Sequence, residues 1–434
     1  YWGQNSFGAT NATDTALWQQ PISYYCNDDA VDVFPIAFVT EFFGTGDLPV
    51  INLANTCNTS DNTTFSGTEL LDCSGLADDI TTCQTNGKIV TISLGGSTGA
   101  AQFTSDDEAA TFAETIWNVF LGGSSDTRPF GDAVLDGVDL DIEGGTTDYF
   151  STFISTLRSY FDDADKDYYV TGAPQCVYPD AIMGTVLNNA SFDAVYVQFY
   201  NNECGLQNAD TYSDWDFGIW DYWARYVSLN SDVKIFIGAP AASLAAGSGY
   251  VDVDTLSSIA VDMRNTFPSF GGVMLWDESQ AYANDRYDLA IKEALTAAGG
   301  TGFTYPECTA ADYVSGTDYV AGDQVTYDGC VVSWCSQANW WSDSVPSAAS
   351  SDGDWSISAT TSSTTSSTFT STTTTLTTAT STTTSATATA TGVDCATVSA
   401  WSATATYWGG DEATYESDLW MAQWWSYNDV PGGA

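Results

Sequence analysis

Asp136-Gly137-Val138-Asp139-Leu140-Asp141-Ile142-Glu143 is the densest run of chemistry-bearing side chains in the chain. Asp139, Asp141 and Glu143 fall at every second position, and on a β-strand alternate side chains share a face. The carboxylates therefore point one way while Val138, Leu140 and Ile142 point the other. Successive acids on that face are about 6 to 7 Å apart, so mutual repulsion leaves at least one protonated near neutrality. A carboxylic acid that keeps its proton at the end of a strand is what a glycosidic oxygen needs from a general acid. A calcium loop or a solvated acidic edge is the competing reading. Large apolar residues at strict two-residue spacing speak against both.

The chain contains no histidine. Acid and base work then falls to carboxylates or tyrosine, imidazole is lost as a metal ligand, and neither a metal nor a cofactor is expected. With 9 basic and 56 acidic residues, the formal net charge of -47 excludes an electrostatic grip on nucleic acid or anionic lipid. A neutral or cationic partner is favoured. Ten cysteines without a CxxC pair read as disulfides formed in an oxidising compartment, which places the protein outside the cell. Sequons at Asn11, Asn58, Asn62 and Asn189 agree with a secreted glycoprotein. No run of about 20 apolar residues exists, so no membrane span is predicted. No signal peptide precedes Tyr1, which reads as the start of a mature form or a fragment. A monomer is expected.

The acids need strands to hold them, and β-branched runs recur at 33–43, 88–96, 137–143, 169–175, 194–200, 234–240 and 271–277. Helical spacing fills the gaps, as at 108–121 and 149–161. Near-continuous hydrophobicity within each run predicts a parallel sheet covered by helices. Tyr1-Trp2-Gly3 reads as the tail of an eighth strand, which leaves closure of the sheet to a short remnant. Eight strand–helix units over residues 1–300 predict an α/β fold, a (β/α)₈ TIM barrel with its site at the C-terminal strand ends. The alternative is an open doubly wound sheet, but no GxGxxG motif follows a first strand.

Beyond residue 300 the chain changes character. Segments 301–355 and 393–434 are rich in Tyr, Trp and Gly and flank a Ser/Thr tract at 356–392. That tract cannot bury a core and reads as an O-glycosylated spacer. The flanking segments repeat each other: Tyr319, Gly322, Asp323 and Tyr327 recur as Tyr407, Gly410, Asp411 and Tyr415, and Trp340-Trp341 recurs as Trp424-Trp425. Two small β-rich modules are predicted, the second truncated because nothing matches Trp355. Of each tryptophan pair, one ring is expected in the core and one on the surface.

The acidic strand resembles the DGxDxDxE signature of glycoside hydrolase family 18, and Ser93-Leu94-Gly95-Gly96 resembles that family's SxGG strand. The resemblance runs from residue 1 to about 298, through Tyr1-Trp2-Gly3-Gln4-Asn5, Ala173-Pro174-Gln175-Cys176, Gln198-Phe199-Tyr200-Asn201-Asn202 and Gly272-Val273-Met274-Leu275-Trp276. It is similar to the plant and fungal class III chitinases, the hevamine-like branch. The resemblance implies hydrolysis of chitin or N-acetylglucosamine oligomers by a retaining mechanism in which the substrate's N-acetyl oxygen attacks the anomeric carbon. By motif, Glu143 would be the general acid and base, and Asp141 would orient the acetamido group. Asp139 would share a proton with Asp141. Tyr200, with Gln198 beside it, would donate to the acetamido carbonyl, and Trp276 would floor the reacting sugar. Gln4, Asn52 and Gly96 match positions bordering the cleft.

The same resemblance pairs Cys26 with Cys83, Cys57 with Cys73, and Cys176 with Cys204. The pairing of Cys308, Cys330, Cys335 and Cys395 is left open. The trailing repeats resemble the chitin-binding modules of carbohydrate-binding families 5 and 12. Two other functions fit the same motifs: a catalytically silent lectin or inhibitor on the same fold, and an endo-β-N-acetylglucosaminidase.

Overall fold

The computed structural model describes residues 1–97, 100–211 and 214–299, together with the backbone of short strands after residue 323. The first region is built on strands β1 (Val33–Glu41), β2 (Val50–Ile51), β3 (Ile89–Gly96) and β4 (Gly137–Ile142). β5 (Tyr169–Gly172), β6 (Ala194–Gln198), β7 (Lys234–Pro240) and β8 (Phe270–Trp276) complete the sheet. Its order is β2-β1-β3-β4-β5-β6-β7-β8, with every pair from β1·β3 to β7·β8 parallel and the short β2 antiparallel to β1.

Closure rests on two residues. Trp2 sits beside Ile36 in parallel register, donating to Pro35 O at 3.0 Å and accepting from Ala37 N at 2.8 Å. On the other side the Tyr1 amino group donates to Leu275 O at 3.0 Å, and Tyr1 O accepts from Glu278 N at 2.9 Å. The eighth position is therefore filled by Tyr1–Trp2, and the short remnant suffices to join β8 to β1.

Helices α1 (Ser6–Thr10), α2 (Ile22–Tyr25), α3 (Ala77–Thr85), α4 (Asp106–Phe120) and α5 (Phe150–Asp162) lie between or beside the early strands. α6 (Gly184–Asn189), α7 (Phe217–Tyr226), α8 (Val253–Thr266), α9 (Glu278–Ala283) and α10 (Tyr287–Ala297) follow. α4 shows the local logic. Ser105 caps it by accepting from Glu108 N, and Asp106, Asp107 and Glu108 face the positive end of the helix dipole. Its residues Ala109, Phe112, Ala113, Ile116, Val119 and Phe120 recur at helical spacing and are all buried.

Two apolar clusters result. The larger packs Val90, Ile92, Leu94, Val138, Leu140 and Ile142 outward against the helices. The smaller, with Tyr1, Ala37, Phe38, Ala173, Tyr196 and Met274, fills the barrel interior. The strands end sooner than the apolar runs suggest: β4 stops at Ile142, β5 at Gly172 and β6 at Gln198. Past Gly172 and Gln198 single ladder bonds continue, from Ala173 N to Leu140 O at 2.9 Å and from Phe199 N to Gly238 O at 3.0 Å. Glu143 and Tyr200 thus stand on strand extensions, while Gln175 keeps a parallel bridge to Gln198.

All three implied disulfides are present: Cys26–Cys83, Cys57–Cys73 and Cys176–Cys204. Among the described residues no helix is long and apolar enough to cross a membrane. Beyond residue 323, Gln324–Tyr327, Cys330–Trp334 and Trp355–Thr360 form a three-stranded antiparallel sheet. Thr406–Tyr407 pairs with Ser426–Tyr427, and Glu412–Tyr415 with Asp418–Met421. Contacts divide the chain into units 1–363 and 364–434. Trp340, Trp341, Trp424 and Trp425 lie outside the described residues, as does most of the Ser/Thr tract.

Candidate active site

Strand alternation delivers the three acids as expected, in three different environments. Asp139 is fully buried beneath the floor of the site, where Ser93 Oγ and Tyr1 Oη donate to its Oδ2 at 2.6 and 2.7 Å, and Thr171 Oγ1 donates to Oδ1 at 2.6 Å. Burial pushes its pKa up, and the hydroxyls of Ser93, Thr171 and Tyr1 partly offset that rise. Asp141, one pleat higher, is buried, with its carboxyl pushed well above the usual range by desolvation, then by the charges of Glu143 and Asp139. Glu143 lies just past the strand and opens onto the cleft. Its pKa is also raised by desolvation, with the hydrogen bond from Asp141 acting against that shift.

Two further side chains meet the Asp141 carboxyl. Asp141 is hydrogen-bonded to Glu143 and to Gln198, whose Nε2 donates to Oδ1 at 3.1 Å. Asp139, on the same face of the strand, acts on Asp141 through its charge. Gln198 is itself anchored by a second donation to Ala173 O at 2.8 Å. It therefore acts on Asp141 rather than merely standing beside Tyr200.

These groups open into a cleft of about 380 Å³. Tyr200 lines it, and burial followed by the charges of Asp141 and Glu143 pushes its phenol pKa well up, so it stays a donor. Trp276 lies against Phe38 with ring centroids 5.8 Å apart at 21°, and against Tyr1 at 5.7 Å. The result is an apolar floor made of three rings. Gln4 also lines the cleft, with Nε2 pinned to Ala37 O at 2.8 Å and Asn52 O at 2.9 Å. Asn52 is exposed at the rim, and its Oδ1 accepts from Ala54 N at 2.9 Å.

Gly95 lets its strand approach β4 closely, and Gly96 leaves room for the Phe38 ring of β1. Gly95 has φ +109°, and a Cβ there would lie 2.5 Å from Asp141 O. At Gly96, φ is +76° and a Cβ would press on the Phe38 ring at 3.0 Å. The structure thus brings Glu143, Asp141, Tyr200, Gln198, Trp276, Gln4, Asn52 and Gly96 around one cleft, with Asp139 below it.

Sequence reasoning assigned no site role to Tyr1, Phe38, Thr171 or Met274. Tyr1 belongs to a motif singled out for other reasons, and Phe38 and Met274 read simply as apolar strand residues. For Thr171 no sequence signal distinguishes a hydroxyl aimed at a carboxylate from an ordinary β-branched strand residue.

The glycosyl hydrolases family 18 model matches residues 22–430. Over 301 residues the chain is 45% identical to Chitinase 2 of Rhizopus oligosporus, covering 69% of this chain and 52% of that protein. The chain spans about half the length of the curated relatives it matches. Among solved structures, a chitinase from Ipomoea carnea is 33% identical with a TM-score of 0.55, covering 68% of this chain and 98% of that one. The xylanase and alpha-amylase inhibitor protein from Scadoxus multiflorus is 31% identical with a TM-score of 0.54, over 68% and 96%. Shared motifs, barrel and cleft agree with the family match: the chain belongs to the glycosyl hydrolases of family 18.

Proposed function

We propose that the cleft hydrolyses β-1,4 linkages between N-acetylglucosamine units of chitin by a retaining, substrate-assisted reaction. One observation carries this reading. Among the described residues the carboxylates lining the cleft are Asp141 and Glu143, and they are hydrogen-bonded to each other on one wall. A double-displacement enzyme needs two carboxyls about 5 to 5.5 Å apart across the sugar, and an inverting one needs about 6.5 to 9.5 Å. A bonded neighbouring pair meets neither need, so the attacking oxygen must come from the substrate's 2-acetamido group.

In this reading Glu143 donates its proton to the glycosidic oxygen as the bond to the anomeric carbon breaks. The acetamido oxygen bonds to that carbon from the other face, forming an oxazolinium ion. Asp141, held by Gln198, accepts from the acetamido N–H, and Tyr200 donates to its oxygen. Glu143, now a carboxylate, takes a proton from water, whose oxygen opens the ring with net retention. Trp276 packs under the apolar face of the sugar. The relatives named chitinase support the substrate, and the disulfides support an extracellular location. We further propose that 301–355 and 393–434 hold the enzyme on solid chitin, with 356–392 as tether.

Glu143→Gln tests the reading: turnover of chitotetraose falls by at least about 100-fold while binding persists. Unchanged turnover would remove Glu143 from the reaction. Because Glu143 must be protonated to act and its pKa is raised, wild-type kcat falls only as the pH climbs above the ordinary carboxylate range. Binding without hydrolysis by the wild type would favour the lectin or inhibitor reading. Truncation after 300 should impair activity on solid chitin more than on soluble oligomers.

A further inference from the structure

Tyr200 rests against a loop that one side chain ties down. The connection from β7 to α8, residues 241–252, leaves the C-terminal end of β7 and contributes Ala245 to the wall of the cleft. Its two ends are fixed from α9 and α10. Asn284, at the end of α9, donates through Nδ2 to Ala241 O at 2.9 Å and to Tyr250 Oη at 3.2 Å, and Tyr287 Oη donates to Val251 O at 2.9 Å. Between these anchors Ser243, Leu244, Gly247 and Ser248 are exposed.

Asn201, three residues past β6, takes hold of that exposed stretch. Its Oδ1 accepts from Gly247 N at 2.8 Å and from Ser248 N at 3.2 Å, and its own N donates to Ser248 O at 3.3 Å. The residue stands at φ +58°, in the left-handed region that Asn enters more readily than most residues bearing a Cβ. It also lines the cleft.

The residue that follows the clamped pair meets Tyr200. Gly249 is buried at φ +97°, and a Cβ there would lie 2.6 Å from Tyr200 Cβ and 2.7 Å from its Cα. Gly249 therefore packs directly behind the root of the phenol side chain. Asn202 fixes the other flank, donating through Nδ2 to Tyr200 O at 3.4 Å and to Gln175 Oε1 at 3.0 Å. If residues 247–248 lift away from Asn201, the surface behind Tyr200 moves with them.

We propose that Asn201 is a positioning residue for Tyr200: by clamping residues 247–248 it keeps Gly249 against the tyrosine, so that the phenol stands in place to meet the acetamido oxygen of the substrate. The inference rests on the reading that the cleft hydrolyses chitin with Tyr200 as that donor. The acetamido oxygen is the attacking atom, so its hydrogen bond changes most as the new bond forms. A displaced phenol then lowers kcat and leaves KM nearly alone.

The test compares the full chain with Asn201→Gly, which accepts the left-handed backbone and deletes the clamp, and with Asn201→Asp, which keeps an oxygen for it. In the glycine variant kcat on chitotetraose should fall about tenfold with KM within about twofold, and hydrogen exchange of the Gly247 and Ser248 amides should quicken. The aspartate variant should recover most of both. In a Tyr200→Phe background, Asn201→Gly should cost less than about twofold, because the hydroxyl it positions is already gone. Unchanged exchange or unchanged kcat in the glycine variant would overturn the inference, as would a full further loss in the Tyr200→Phe background. A wild type that binds chitotetraose without cutting it defeats the catalytic reading, and the same cycle run on chitotetraose affinity then decides whether Asn201 acts through Tyr200.

Discussion

Replacing Thr171 with valine removes one hydroxyl from the buried Asp139 carboxylate while filling nearly the same space. Three donors hold that group, at 2.6, 2.6 and 2.7 Å from Thr171, Ser93 and Tyr1. A hydrogen bond to a charged group contributes about 1.5 to 3 kcal/mol, so losing one donor to the ionised form pushes the pKa of Asp139 up further. The sign follows from linkage. Burial already raises the folded-state pKa of Asp139, so its stabilising contribution is present at low pH and is lost as pH rises through that value. Deleting a donor to the ionised form therefore costs little in acid and most of about 1.5 to 3 kcal/mol above neutrality. Urea unfolding of both proteins at about pH 5 and about pH 8 measures the difference. An equal loss at the two pH values would show that Thr171 acts by packing alone, and the account of Asp139 as a titrating, hydroxyl-held carboxylate would fail.

Gly95→Ala places a methyl 2.5 Å from Asp141 O at a backbone φ of +109°. Strain of about 1 to 3 kcal/mol is expected, with a drop in kcat as β4 shifts; thermal unfolding and chitotetraose turnover check the two effects, and wild-type values in both would contradict the close approach. Thr91 is buried in β3 with its Oγ1 lacking a hydrogen-bond partner. Thr91→Val should leave stability unchanged or raise it by up to about 1 kcal/mol, and a clear loss in urea unfolding would show that the hydroxyl is bonded.

The sequence by itself determined whatever depends on neighbours along the chain. The period of two in Asp139, Asp141 and Glu143 set which residues face the barrel interior, and the apolar runs located the strands of the sheet. Absence of histidine restricts proton transfer to carboxylates and tyrosine. Tyr200, Trp276 and the disulfide partners were legible only through motif resemblance, since nothing in their local spacing distinguishes them.

Only the tertiary structure decided which groups meet. The hydroxyls that hold Asp139 lie 138, 46 and 32 residues away, on Tyr1, Ser93 and Thr171. Gln198, 57 residues from Asp141, takes a carboxylate oxygen rather than only standing beside Tyr200. Closure of the barrel by Tyr1 and Trp2 depends likewise on packing between distant segments. The physical reason is common to all of these: alternation along a strand is dictated by backbone geometry within a few residues, whereas hydrogen bonds across a closed barrel are selected by register and burial, which exist only once the chain has folded.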